Sequence, residues 1–599
     1  YAIGSWLNDP AGVGVWHCDQ TKDDQGFFAY SDDSINKFVE NMFDPNSEDC
    51  KKYKVFSKAA SLLPSDASRQ AELNALKVKL DAIDEITTVE AFMAEYVKML
   101  LFEMPLFQLY FIFDGRNTKS IKIYASNDWE IKPDGTMSGL LSVDDNDEMI
   151  ELYKSLLSIN DETEYVKDIL DFMLAIDDED TTVDENNTAM EDTLSVYLKA
   201  NGIEIPVDYK NVQKYFHKLN LIGSDDIDSR LSLANAKKYL KHSIAKTNLN
   251  ILLHSETSYR GTAFVLPLIK AYKEKYDPNG TKREYVRQMC EEIKTRLEER
   301  LNNNTWMSTS SKLNAIKKLK EIHFYCGYRD FDNPELLLED DNDYKNCSTY
   351  IDFYNKISYN ANLIYLKRFA DDSIPFDDLM FEIFQYQSDP MLTNANYDFE
   401  TNTVCIRISC LNGLCNIDYP DAYSYASLGF IVGHEICHGF DSNGSKHNEI
   451  GETKDWWTIS DKLHYEDKKA QVTELYSMFA LESDSTITVN GVQTLNENMA
   501  DLGGITIAYD TFVSKKIKEG FSGDNLIKQK KMFFESLAIL FSSTADDNHW
   551  ANHIKTNTHS PYQFRVNGIT SLVDEWYDLY NVQPGDKYYL EPSQRIVLW

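Results

Sequence analysis

The chain is short of positive charge: 60 lysines and arginines stand against 96 aspartates and glutamates, a formal net charge of -36. That balance excludes nucleic acid as a partner, because phosphates need a basic surface, and it argues against docking on anionic lipid. Long apolar runs are missing as well. The most apolar stretch, 99–113, is interrupted by Glu103 and Pro105 and is too short to span a bilayer, so it reads as buried core. Nine cysteines form no C-x-x-C pair, which argues against cysteine-held zinc. Cys405, Cys410 and Cys415 recur every five residues, a spacing that suits neither a strand face nor a metal motif, and they read as buried thiols. Acidic clusters at 144–148, 177–180 and 339–343 lack the sixth-position glycine and twelfth-position glutamate of a calcium loop and read as solvated turns. There is no internal repeat and no low-complexity tract. The first residues, Tyr1-Ala2-Ile3, include no methionine, so the native N-terminus is expected upstream and a missing leader carries no information.

What is present is a well-packed globular composition, 43% hydrophobic and 13% aromatic. At 599 residues the chain is too long for one core and should divide into at least two domains. Apolar residues recur with helical period over 66–101, 149–175, 208–220, 282–302 and 308–323. Near 390 the texture changes. Pro375 and Pro390 punctuate it, Thr403-Val404-Cys405-Ile406-Arg407-Ile408 reads as a strand, and helices are predicted at about 424–440, 465–482, 497–513 and 526–543. The reading is a mainly α fold with a small β-sheet (α+β), a helical domain over 1–390 and a second domain over 391–599.

His434-Glu435-Ile436-Cys437-His438 carries the chemistry. On a helix, i and i+4 lie on one face, so both imidazoles can reach one metal ion and Glu435 can point at a water on it. With 12 histidines in the chain, a chance H-E-x-x-H is expected roughly 0.02 times. The preceding residues, Ser427 to Gly433, are almost entirely apolar or small, which marks a buried helix where two unpaired histidines would be costly. A catalytic zinc takes a third protein ligand. The positions where a three-histidine motif would continue hold Asp441 and Gly444, so that class is excluded. Glu497, opening the segment Glu497-Asn498-Met499-Ala500-Asp501, can supply the ligand instead. Asp501, four residues on and on the same face, can accept the second N–H of a ligand histidine, and Asp441 can do likewise. Cys437 points away from the ligand face and has no assigned role.

The residues 432–441, followed by Glu497-Asn498-Met499-Ala500-Asp501-Leu502-Gly503-Gly504, resemble the neprilysin and endothelin-converting-enzyme family of zinc metallopeptidases. Asn394-Ala395-Asn396-Tyr397 resembles its N-A-x-Y substrate strand, and His559-Ser560-Pro561 with Arg565 its H-S-P-x-x-x-R block. Trp306, Lys312, Ala315 and Lys318 resemble a helix of its N-terminal domain, Tyr1 to Leu7 its opening, and Trp599 its terminal tryptophan. The likeness implies a two-lobed zincin, with a thermolysin-like catalytic lobe and a large helical lobe capping it, and with the extreme N-terminus packed on the catalytic lobe.

It also implies roles. One Zn2+ would be held by His434, His438 and Glu497. Glu435 would be the general base, His559 would stabilise the oxyanion, and Arg565 would hydrogen-bond a substrate carbonyl. Asn394 and Ala395 would hold the substrate backbone. Phe430, Ile431, Leu540 and Phe541 would line the pocket for an apolar residue after the scissile bond. The implied activity is metalloendopeptidase action on short peptides admitted to an enclosed chamber. Departures bear on specificity. Arg407-Ile408-Ser409-Cys410 replaces the family's Pro-Ala-Gly stretch, and no arginine stands near 23–28 to grip a free substrate carboxylate, which favours endopeptidase action. The end, Arg595 to Trp599, lacks a cysteine, as bacterial-type members do. Two alternatives are a peptide-binding protein without catalysis and an aminopeptidase. Intact Glu435, His559 and Arg565 speak against the first, and the lack of an acidic grip for a free N-terminus speaks against the second.

Overall fold

Amphipathic stretches become helices through most of the chain, and two of the long ones each become a pair. The stretch 66–101 forms Arg69–Asp84 and Val89–Met99. The break falls where Thr88 turns its hydroxyl onto the amide of Ala91 at 3.1 Å and caps the second helix. The stretch 149–175 divides the same way into Asp147–Leu157 and Glu162–Asp177, with Asp161 accepting from the Glu164 amide at 3.0 Å. The computed structural model describes residues 25–599 except 66, 100–106, 115–117, 126–135, 142–146, 178–187, 223–227, 254–263, 330–336, 376–377, 380, 382–390, 415–416, 418 and 545–546. The opening segment, Cys18, Cys415 and the acidic clusters at 144–148 and 177–180, apart from Asp147, Glu148 and Asp177, lie outside the described residues. Among the described residues no helix is long and apolar enough to cross a membrane, and the seven cysteines are thiols.

The chain forms two compact units. One comprises Phe38–Leu268 and Phe331–Asp389, the other Tyr1–Lys37, Ile269–Asp330 and Pro390–Trp599. A single cut at 390 therefore does not separate them: Ile269–Asp330 belongs with the metal motif. The reason is the apolar face of helix Thr281–Asn303, whose Val286, Met289, Ile293 and Leu297 are buried within that unit. Helical period identifies such a face but not its partner.

In the first unit, helix Leu233–Leu253 is central and packs on Arg69–Asp84, Asp147–Leu157 and Glu162–Asp177. Its His242 Nδ1 lies 2.6 Å from Tyr153 Oη in the core. Buried Glu72 accepts from the amides of Tyr350 and Ile351 at 2.6 and 3.0 Å, satisfying the start of helix Tyr350–Ala370. The end of the apolar stretch 99–113 is a strand, Phe107–Asp114, antiparallel to Thr118–Ala125, which pairs in parallel with Val207–Asp208.

The second unit carries the motifs. Its helices include α1 (Thr281–Asn303), α2 (Thr309–Lys320), α3 (Phe430–His438), α4 (Ile459–Ser477), α5 (Leu495–Lys518), α6 (Gly523–Leu540), α7 (Asp547–Thr556) and α8 (Tyr562–Thr570). Strands β1 (His323–Gly327), β2 (Ala395–Asp398) and β3 (Thr403–Arg407) form a sheet in the order β1-β3-β2. β3 pairs parallel with β1 and antiparallel with β2, in the register Tyr325↔Cys405 and Ala395↔Ile406. Its central place explains the unbroken burial of Thr403 through Ile406. β2 is left at an edge, joined to β3 through Asn402 in the left-handed region at φ 55.

α3 is preceded by one turn of π-helix, Tyr425–Gly429. α3 and α5 cross with their backbones in contact. A Cβ on Gly433 would lie 2.9 Å from the Gly504 carbonyl oxygen, and one on Gly504 would lie 2.7 Å from the His434 nitrogen. No larger residue fits either position.

Candidate active site

That crossing fixes the site. It sets the first turns of α5, with Glu497 and Asp501, against His434 and His438 on α3. Nε2 of His434 and Nε2 of His438 are 2.9 Å apart, and Glu497 Oε2 lies 3.2 and 3.4 Å from them. These three residues are the one group among the described residues whose donor atoms converge tightly enough to hold a metal ion. A tetrahedral ion with bonds of about 2.0–2.1 Å requires ligand atoms about 3.3 Å apart, close to what is observed.

The outer nitrogens are already committed. His434 Nδ1 lies 2.7 Å from Asp501 Oδ1, and His438 Nδ1 lies 2.8 Å from Asp441 Oδ2. Each carboxylate accepts an N–H there, which fixes the tautomer and leaves Nε2 as a lone pair. Two lone pairs at 2.9 Å repel unless a proton or a cation lies between them. Glu497 Oε2 is buried and makes no hydrogen bond of ordinary geometry, although three imidazole nitrogens lie within 3.4 Å. A buried carboxylate oxygen without an aligned donor, facing two nitrogen lone pairs, fits a cation. Two nitrogens and a carboxylate suit zinc.

The electrostatics agree. Burial opposes ionisation of Glu497, yet the three imidazoles around it hold its carboxyl well below the usual range. Burial and His438 oppose protonation of His434, but Asp501 and Glu497 outweigh them and raise it. His438 is raised further, against burial, by Asp441, Glu497 and Glu435. Glu435 itself is buried at 7% exposure on the motif helix.

Asp501 is fully buried and held by more than His434. Arg565 grips it with two hydrogen bonds, Nε to Oδ2 at 2.8 Å and Nη2 to Oδ1 at 2.6 Å. Burial resists the charge, but Arg565 and His434 hold its pKa at about 2. Burial lowers the guanidinium's own pKa and Asp501 more than restores it. Two of the five N–H groups of Arg565 are thus engaged within the protein, and its guanidinium sits 4.7 Å from the Phe541 ring.

His559 reaches the cluster from the loop before α8. Its Nε2 lies 3.0 Å from Glu497 Oε2, and its Nδ1 lies 3.2 Å from Asn557 Oδ1, which also accepts the His559 amide at 2.8 Å. His559 is not one of the three converging donors. His553 Nε2 meets the His559 carbonyl at 3.1 Å, and burial depresses its pKa.

Phe430 and Phe541 are buried edge-to-face at 5.6 Å, with Phe430 also 6.1 Å from the His434 ring. Leu540 is buried at the end of α6, and Ile431 is half-buried on α3. Asn394 leads into edge strand β2, which packs on α3. The Asn394 side chain accepts the Ala395 amide at 2.9 Å, and its carbonyl accepts from Arg407 at 3.3 Å.

Asn557, which orients His559, has no motif of its own in the sequence. Cys437 also acquires a place. It is buried with its sulfur where a Cβ on Gly503 would be, 2.3 Å away, beside the Trp599 indole. It fills the groove between α3 and α5, and burial raises its thiol pKa.

Residues 394–596 and 261–329 match models of peptidase family M13. Mouse neprilysin is 27% identical over 327 residues, 53% of this chain and 42% of that protein. A neutral endopeptidase of Lactococcus lactis subsp. cremoris is 25% identical over 340 residues, 55% of this chain and 48% of that protein. The chain thus spans less than half the length of these curated relatives. In fold it is similar over its whole length to PepO from Lactobacillus rhamnosis, covering 98% of that chain with a TM-score of 0.64 at 18% identity. It is similar over its whole length also to the open state of Mycobacterium tuberculosis zinc metalloprotease Zmp1, covering 99% of it with a TM-score of 0.71 at 17% identity.

Proposed function

The chain belongs to peptidase family M13, and from that premise we propose that it is a zinc-dependent endopeptidase hydrolysing short peptides. The observation that carries this reading is the convergence of His434, His438 and Glu497 with both histidine Nδ1 atoms tied to carboxylates. A zinc ion, when bound, supplies a Lewis acid and acidifies water.

The chain's own residues supply the rest. Glu435 accepts the proton of the attacking water on a carboxylate oxygen and returns it to the leaving amine. His559, its Nδ1 held by Asn557, offers a ring N–H to the carbonyl oxygen as negative charge gathers there. Asp501 holds His434 in the ligand tautomer, and Arg565 holds Asp501 and has three N–H groups without a partner among the described residues to offer a substrate carbonyl. Asp441 holds His438 in the same way. Asn394 and Ala395 stand where an extended peptide could add to the free edge of β2. Phe430 and Phe541, with Ile431 and Leu540, form the apolar surface for the residue after the cut.

The test is zinc content and peptide cleavage for the native chain and Glu435→Gln. The variant should retain zinc and lose about 10²–10⁴-fold in kcat; equal cleavage by both proteins refutes the mechanism. A peptide library should show an apolar preference after the cut, and an acidic preference there contradicts the pocket assignment.

A further inference from the structure

We propose that Lys318 is a positioning residue for the metal centre, fixing the loop that presents Asp441 to His438. This rests on the metal reading above. Lys318, on α2, is 1% exposed. Its Nζ donates to the Gly444 carbonyl at 2.6 Å and the His447 carbonyl at 2.9 Å, and lies 5.8 Å from each of the Tyr397 and Phe440 ring centroids. No carboxylate among the described residues pairs with it directly. A buried ammonium without a counter-ion is costly, and burial pulls its pKa down to about 7 against the attraction of Asp441 and Glu449.

What the ammonium holds is the far side of the metal site. Asp441 Oδ1 accepts the amides of Asn443 and Gly444 at 2.7 and 2.8 Å, while its Oδ2 holds His438 Nδ1. Gly444 therefore gives its N–H to Asp441 and its C=O to Lys318. Without the ammonium, the Gly444 carbonyl keeps only the His447 amide at 3.0 Å and the His447 carbonyl only the Trp456 indole at 3.2 Å; with its shortest tie gone the turn relaxes, and Asp441 loses its fixed aim at the imidazole. The main-chain carbonyl of Lys318 also accepts from Asn402 at 3.0 Å, in the turn joining β2 to β3. One residue thus ties the metal loop to the hairpin that carries Asn394 and Ala395.

A merely structural buried lysine would cost stability alone. Lys516 is the comparison: 6% exposed in the same unit, held by Asp421 and Glu519 at 2.5 and 2.6 Å, away from the metal loop. Zinc affinity is measured by chelator competition for the wild type, Lys318→Met and Lys516→Met. Lys318→Met should weaken zinc about 10–100-fold, the usual effect of losing support behind a ligand; Lys516→Met should bind as the wild type does, whatever its melting temperature. Amide exchange of Asn443 and Gly444 in the wild type covers the case in which Lys318→Met does not fold. Both amides should stay protected when zinc is stripped, because Lys318 holds the loop without it. Wild-type affinity in a folded Lys318→Met, or rapid exchange on zinc removal, overturns the inference alone. A wild type that binds no zinc overturns the metal reading and this inference with it.

Discussion

Replacing Gly503 by alanine should destabilise the protein as it stands and should stop doing so once Cys437 is also alanine. The new Cβ would lie 2.3 Å from Cys437 Sγ, 3.2 Å from Cys437 Cβ and 3.3 Å from the Trp599 indole nitrogen. The first approach is about 1 Å inside ordinary contact, and overpacking of this kind costs about 1–3 kcal/mol. Alanine recovers about 1 kcal/mol of helix propensity, so the net loss should be about 1 kcal/mol. Cys437→Ala alone removes a buried sulfur and should cost about 1 kcal/mol, a little more than a buried methylene. In that background the Gly503→Ala methyl meets only the two milder approaches and keeps its propensity gain, so its effect should be near zero or stabilising. The coupling between the two sites is then about 2 kcal/mol, or about 3 °C in the melting temperature of the unit that carries the candidate site. Calorimetry of the four proteins measures it. Because Gly503 follows Asp501 on the helix that also carries Glu497, zinc affinity should fall in Gly503→Ala and recover in the double variant. Equal destabilisation by Gly503→Ala in both backgrounds refutes the packing argument.

Asp501→Asn removes the charge that holds His434 Nδ1 and Arg565; zinc affinity should fall about 10–100-fold by chelator competition, and an unchanged affinity contradicts its orienting role. Asn557→Ala frees the His559 ring; kcat should fall about fivefold, the worth of about 1 kcal/mol, at full zinc content, and a loss confined to zinc binding would reassign Asn557. His242 is kept neutral by burial and by nearby Lys246, with a folded pKa of about 3 against 6.5. Between those values the unfolded chain binds more protons, so stability is intact above pH 6.5 and is lost as pH falls toward 3. His242→Phe should lose about 3 kcal/mol less stability than the wild type between neutrality and about pH 4; parallel curves refute the neutral-histidine reading.

The residues that converge on the candidate site were legible because their spacing is local. His434 and His438 share a helix face four residues apart, and Glu497 and Asp501 do the same. Phe430 and Phe541 stand out in the sequence only through family likeness; in the fold their rings lie 5.6 Å apart, with Phe430 6.1 Å from the His434 ring. Local propensity also located many helices, but it passed over Leu233–Leu253 and Tyr350–Ala370 and ran through breaks at 85–88 and 158–161, where short caps rather than hydrophobic period decide the boundary. The apolar stretch 99–113 hid a strand in the same way, since an apolar run looks alike in a core helix and a sheet.

By itself, then, the sequence determined donor identity and the face each donor occupies, because both follow from the chemistry of the side chain and the pitch of one helix. Only the tertiary structure decided what depends on two segments meeting. Gly433 and Gly504 let two backbones touch and bring Glu497 to the imidazoles. Arg565 closes on Asp501 rather than standing free. Cys437, silent in the motif, proves to be the filler of that helix crossing, and α1 and α2 join the metal unit across more than a hundred residues to deliver Lys318 behind Asp441. Such contacts are set by shape and burial between elements distant in the chain, and no periodicity within either element encodes its partner.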